Sequence, residues 1–213
     1  MHLSAVDGMT SSHFALKQWQ AGERRIALHL TLEAAPDLAE AAGRLCDALA
    51  REDTARPVPK PWLHLTMTGI GGAESISESQ LEEVAGVVFE EWPRFSSEPL
   101  IYDGVFVAHE SVMLLARNDA WLQELAAIQR AAVDAVLEPR TWREFWPHTS
   151  VAYLTGETSA ESLGANLANA ATDLPDQVEA QPTLTLLELG RDAGMYEWTV
   201  LKSAGPKDAR NAG

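Results

Sequence analysis

The chain has 213 residues, 46% hydrophobic and 22% charged, which suits one domain or two small lobes on a shared core and excludes disordered and fibrous classes. Sixteen Lys and Arg against thirty-one Asp and Glu give a net charge of −15, which repels the backbone of long nucleic acids. Any phosphate it handles is therefore expected on a small molecule or a short end. No apolar run approaches the roughly 18–20 residues of a membrane helix, and Met1–Ser12 lacks the basic start and apolar core of a secretory signal. The single cysteine, Cys46, makes neither an internal disulfide nor a cysteine zinc site. A cytoplasmic monomer is the expectation.

Residues 1–24, with His2 and His13, show no pattern that anchors them and form a segment of open order. The alternation of Arg25–Leu32 predicts a strand with Ile26, Leu28, Leu30 and Leu32 on one face. Pro36 suits a first helical turn, and Leu38, Ala42, Leu45 and Leu49 continue at helical spacing. Glu52–Pro61, with three prolines, reads as a stiff loop before a second strand, Trp62–Ile70. Ser77 and Gln80 form a capping-box pattern ahead of an amphipathic helix that Pro93 stops. Leu100–Ala108 and Ser111–Arg117 read as a hairpin in which His109 lies solvated at the turn. A helix over Asp119–Leu137 and a strand over His148–Leu154 follow. Thr158 and Glu161 suggest a second capping box opening a helix to about Ala171. Two last strands, roughly Gln177–Leu189 and Met195–Lys202, flank a Gly-bearing turn. The tail, 204–213, is small, polar and expected to be mobile. The fold class is α+β.

Two segments echo each other. His64-Leu65-Thr66-Met67 and His148-Thr149-Ser150-Val151 each open a strand and precede a capped helix, as in a duplicated, pseudo-symmetric domain. Residues i and i+2 of a strand share a face, so His64 projects with Thr66 and His148 with Ser150. Side by side, the strands would bring two imidazoles and two hydroxyls into one cleft. One neutral His can take a proton and one protonated His can give one, and hydroxyls can hold non-bridging phosphate oxygens. This kit suits phosphodiester chemistry without a metal. A zinc site from His29, His64 and His148 is disfavoured, because no close His pair and no Asp or Glu accompanies the motifs.

These paired motifs resemble the two-histidine (2H) phosphoesterase superfamily, and within it the 2′-5′ RNA ligase-like cyclic phosphodiesterases. Pro61-Trp62-Leu63 before the first motif and Trp146-Pro147 before the second agree, and the resemblance spans Arg25 to Lys202. It implies a single bilobal domain over 25–203: two antiparallel sheets flanked by helices, related by a pseudo-twofold axis, with a central cleft. It also implies metal-independent, cofactor-free turnover of 2′,3′-cyclic or 2′-5′ phosphodiesters. His64 and His148 would be the acid–base pair, with Thr66 and Ser150 binding phosphate. The alternatives on the same fold are a 2′-5′ RNA ligase or RNA-end processing enzyme, and a nucleotide sensor without turnover. The expected partner is a small nucleotide phosphodiester or an RNA end.

The sequence departs from the family at Ser150, which keeps the hydroxyl, and at Tyr153, which stands where bacterial ligase-like members often carry Arg. That puts substrate preference in doubt more than the reaction. His29-Leu30-Thr31 is a third match to the motif; the resemblance places His29 on the cleft wall. Trp62, Phe145, Trp146 and Tyr153 flank the motifs, either as core or as a base-stacking wall. By alternation Trp62 shares the His64 face and Tyr153 opposes the His148 face unless a bulge intervenes. Lys60 and Arg143 are the nearest cations in sequence.

Overall fold

Buried strands run through the middle of the chain because Leu28, Leu30, Leu65, Leu114, Val151 and Leu184 are all fully enclosed. The computed structural model describes residues 1–16, 19–192 and 194–206. The chain begins with β1 (His2–Ala5) and a single helical turn, α1 (His13–Leu16), and continues into β2 (Arg25–Thr31) and α2 (Pro36–Ala48). Next come β3 (Ala55–Pro57), β4 (His64–Gly72), α3 (Glu78–Glu91), β5 (Leu100–Val107), β6 (Ser111–Ala116) and α4 (Ala120–Val136). The chain closes with β7 (His148–Leu154), α5 (Ala160–Asp173), β8 (Val178–Ala180), β9 (Thr183–Gly190) and β10 (Glu197–Ala204).

The strands fall into two half-sheets. One runs β10-β9-β2-β4; the other runs β7-β6-β5-β1, with β3 beside β7 and β8 beside β5. They meet at one register pair, Leu65 opposite Thr149, which joins them into a continuous ladder. Both halves are antiparallel except at the rim, where β1 lies parallel to β5. The helices exchange sides. α2 follows the first half-sheet in sequence but packs on β7, β8 and α5, while α4 packs on β4 and α3. Each lobe is therefore floored partly by a helix that the other lobe's strands feed.

The expected α+β class and the Ser77–Gln80 capping box are present; Ser77 accepts the Gln80 N–H and the Gln80 side chain accepts the Ser77 N–H. Several boundaries differ for identifiable reasons. Trp62 belongs to a 3₁₀ turn, Lys60–Trp62, and β4 begins only at His64. Within the expected proline loop, Ala55–Pro57 pairs with β7. The second capping box is replaced. Ser159 caps α5, because the Thr158 N–H is already bonded to Thr10 Oγ1 at 3.0 Å. The single strand expected over Gln177–Leu189 is split at Pro182, which offers no ladder N–H, and its two pieces pair in different lobes.

Residues 1–16 run along the second lobe. Beyond β1, the Val6 N–H bonds Val107 O at 2.9 Å, the Ser11 N–H bonds His109 O at 2.7 Å, and Met9 bridges Ser159. Exposed His109 adds its Nδ1 to Met9 O at 3.2 Å. Of the tail, residues 207–213 lie outside the described residues. β10 is the free rim of the first lobe; Leu201 is an extra residue between Val200 and Lys202, and the Lys202 ammonium sits 4.7 Å from the Phe89 ring centre. Among the described residues no helix is long and apolar enough to cross a membrane.

The seam is braced from below. Thr149 points into the core, where its hydroxyl bonds the fully buried Tyr102 hydroxyl at 2.7 Å. Tyr102→Phe should therefore orphan the Thr149 hydroxyl and cost about 1–3 kcal/mol in urea denaturation. A loss of a few tenths would show that this bond does not hold the seam.

Candidate active site

Leu65 and Thr149 face the core, so alternation turns His64, Thr66, His148 and Ser150 to the opposite, cleft face. One residue either side of that pair, the antiparallel register sets His64 across from Ser150 and Thr66 across from His148. The four side chains named by the two motifs are thus gathered around a local twofold. Each histidine is held the same way: His64 Nδ1–H donates to Trp62 O at 2.8 Å, and His148 Nδ1–H donates to Trp146 O at 2.8 Å. With a carbonyl as partner the Nδ1 nitrogen must bear the proton. In each neutral ring Nε2 is therefore the basic nitrogen.

Both strands break regularity at the same point. In β4, Thr66 stands opposite His29 and Thr68 opposite Leu28, leaving Met67 extra; in β7, Ser150 stands opposite Met113 and Ala152 opposite Val112, leaving Val151 extra. A bulge just past each hydroxyl residue bends the strand and re-aims the side chains after it. This corrects the alternation expected for Tyr153. The bulge at Val151 turns it onto the Ser150 face. The bulge carbonyl is fixed by the Val58 N–H at 2.8 Å and by Cys46 Sγ at 3.4 Å. Burial pushes the Cys46 thiol up to about 11, so it stays protonated and donates.

The two halves of the cleft differ in their floors. Beneath the first motif lie His29, Thr31 and Thr185, with the two threonine hydroxyls 2.9 Å apart. Beneath the second lie Met113 and Leu115, opposite Ser150 and His148. His29 is 1% exposed and stacks on His64, centroids 4.5 Å apart and planes within 5°. Trp198 closes the other side, edge-on to His29 at 6.0 Å, His64 at 5.2 Å and Trp62 at 4.5 Å. In the second lobe Trp146 lies 5.2 Å from His148 and packs edge-on to Phe106 at 5.4 Å.

The overall arrangement matches solved structures. Escherichia coli LigT in complex with NADP+ aligns at a TM-score of 0.56 over 87% of this chain and 99% of its own, at 17% identity. The apo form of LigT aligns at 0.54 over 85% and 96%, also at 17%. TT0787 of Thermus thermophilus aligns at 0.59 over 87% and 99%, at 16%. The chain has a LigT-like fold. No protein-family model matches the sequence, and no curated protein does.

Within this LigT-like fold, Tyr153 is buried in an aromatic cluster with His13, Phe14 and Tyr196, its ring 4.3 Å from His13. It is enclosed by that cluster rather than open to the cleft, and burial raises its pKa. Phe145 is core, whereas Trp146 is 48% exposed. Lys60 and Arg143 are both exposed. Sequence reading missed Trp198, Arg24 and Arg191, which line a recess of about 230 Å³ with Trp62, Glu188 and Glu197. Their proximity comes from β9 pairing with β2, which joins the end of the chain to its first long strand. Among the described residues, no three His, Cys, Asp or Glu side chains converge as a metal-holding group.

Burial, and then the neighbouring His64, hold the His29 imidazole well below its usual pKa. The unfolded chain gains this proton near pH 6.5, and the folded chain does so only at lower pH. The unfolded state thus binds more protons below about 6.5, and stability falls as pH drops through that window. His29→Leu should remove this acid loss. Comparing urea midpoints at pH 7.5 and 5.5, wild type should lose more than the variant; equal losses would contradict the assignment.

Proposed function

We propose that the protein is a phosphodiesterase that hydrolyses small 2′,3′-cyclic or 2′-5′-linked nucleotide phosphodiesters by acid–base catalysis from His64 and His148. The observation that carries the reading is the matched pair of Nδ1–carbonyl bonds on two histidines brought together at the Leu65–Thr149 seam. Each bond fixes a ring and its tautomer, so one neutral Nε2 accepts a proton from water or a ribose hydroxyl. The other ring, protonated, donates from Nε2 to the leaving oxygen. The phosphorus–oxygen bond to the leaving group breaks as the new one forms, and solvent exchange restores both rings for the next turn. Thr66 and Ser150 hold the non-bridging oxygens, whose charge must be met as the reaction proceeds.

Escherichia coli LigT has been crystallised with ATP, with 3′-AMP and with phosphate, which supports a nucleotide ligand for a cleft of this fold. The net charge of −15 favours small diesters over structured RNA.

Purified protein with a chelator present should open nucleoside 2′,3′-cyclic phosphates or cleave a 2′-5′-linked dinucleotide, followed by chromatography. His64→Ala and His148→Ala should each lower kcat on the order of 10²–10⁴-fold, and the double variant should fall little further because the pair works as a unit. Full turnover in either single variant would refute the role given to that histidine. Nucleotide binding without turnover would make the protein a sensor instead.

A further inference from the structure

Against His64 lies a third imidazole that the acid–base pair leaves unused. His29 stands on β2 directly across from Thr66, and its ring is parallel to that of His64, centroids 4.5 Å apart and planes within 5°. It is 1% exposed. Among the described residues its buried Nδ1 has no hydrogen-bond partner, and it meets His64 ring face to ring face. Trp198 closes His64 from another side at 5.2 Å and 82°. Between these neighbours His64 is left 9% exposed.

His148 has the same carbonyl hold without the same enclosure. Its aromatic neighbour Trp146 is exposed, and His148 itself is only half-buried. The difference bears on where a proton rests. An imidazolium is stabilised by hydration, and a ring covered by another ring loses that hydration on the covered face. A cation over an aromatic face regains about 0.5–2 kcal/mol when the ring is Trp, Tyr or Phe. Imidazole is a poorer π donor than these, so the lost hydration decides.

His29 does not take the charge itself, because burial, and then His64 beside it, hold its pKa well below the usual range. Of the other titratable groups around His64, His148 stands on the partner strand, and Lys60 in the preceding turn is exposed. Arg24, Glu188, Arg191, Asp192 and Glu197 line the recess with Trp62 and Trp198. All five are partly or fully exposed, Arg24 is paired with Asp192 at 2.7 Å, and solvent ions screen the field of the group.

We infer that His29 is a positioning residue that keeps His64 the unprotonated member of the pair, so that His64 acts as the base and His148 as the acid. This rests on the phosphodiesterase reading above and gives each ring its direction. His64 Nε2 takes the proton of the attacking water or ribose hydroxyl as that oxygen bonds phosphorus. The proton on His148 Nε2 passes to the departing oxygen as its bond to phosphorus breaks. His64 is then protonated and His148 neutral, and exchange with solvent resets both. Two like groups are separated in role by unlike surroundings.

A leaving group that needs no proton tells the roles apart. The methyl and 4-nitrophenyl diesters of a nucleoside 2′-phosphate serve, since nitrophenolate departs unaided and methanol does not. His148→Ala should lose on the order of 10²–10⁴-fold in kcat on the methyl diester and less than about 10-fold on the nitrophenyl diester. His64→Ala should lose the larger factor on both. Any other pattern of recovery overturns the assignment. His29→Ala uncovers the face of His64, so the ratio of kcat/KM at pH 5.5 to that at pH 8 should fall about 3- to 10-fold. In His29→Phe, which keeps a ring against His64, the ratio should hold. A ratio unmoved in His29→Ala, or lowered equally in both variants, contradicts the role of His29.

If neither diester turns over, the hydrolytic reading fails and NMR titration of the imidazole protons, assigned with His64→Gln and His148→Gln, still decides this one. In wild type His64 should take its proton at lower pH than His148, and His29→Ala should narrow the gap. His64 titrating at the same or higher pH, or a gap untouched by His29→Ala, overturns the inference. The wild-type order is decisive by itself where His29→Ala does not fold.

Discussion

The candidate site depends on one point of contact between two half-sheets. Leu65 and Thr149 form the sole register pair of β4 and β7, yet the four side chains that could act on a phosphodiester stand immediately on either side of it. Neither lobe holds a site alone, since each supplies one imidazole and one hydroxyl. The contact is kept in register indirectly, by Tyr102 gripping Thr149 from the core and by α2 and α4 crossing beneath the opposite lobes. Packing area thus does what a single pair of strands could not do by hydrogen bonding alone.

The paired bulges show how a repeated strand can be given unlike surroundings. Met67 and Val151 occupy the same step after their motifs, but the residue that each bulge re-aims differs. In β7 it brings Tyr153 onto the Ser150 face and into the His13–Tyr196 cluster; in β4 the corresponding residue is Gly69, which has no side chain and is exposed. The floors follow suit, with a stacked, neutral His29 under His64 and Met113 and Leu115 under His148. Two imidazoles in surroundings of different polarity is a condition under which one fold can separate an acid from a base.

The sequence made the local elements and the motif pair readable because both rest on short-range rules. β7 matches its expected bounds, the hairpin β5–β6 lies within a residue or two, and Ser77–Gln80 declares its helix start. The features that escaped needed partners distant in the chain. β1 is four residues long and becomes a strand only by lying along β5. Pro182 separates two strands that pair in different lobes. Trp198 and Arg191 join the site only because β9 brings them to β2, and no periodicity within Met195–Lys202 encodes that. The bulge at Val151 was legible only as a condition on where Tyr153 would point. A one-residue insertion costs little locally, and it is the pairing with β6 that reveals it.

The rim of the first lobe has a consequence for the protein's behaviour in a crowded solution. β10 leaves an eight-residue row of backbone donors and acceptors at a sheet edge, with Val200 and Leu201 both exposed, which is the kind of template onto which another chain adds a strand. The extra residue at Leu201 twists that row out of plane, and Lys202, resting over Phe89, holds a charge beside it. An incoming strand would have to match a kink and bury an ammonium. The opposite rim is guarded differently, by the brevity of β1 and by α5 packed against it. Both rims of the sheet that runs across the two lobes thus carry features that disfavour strand addition.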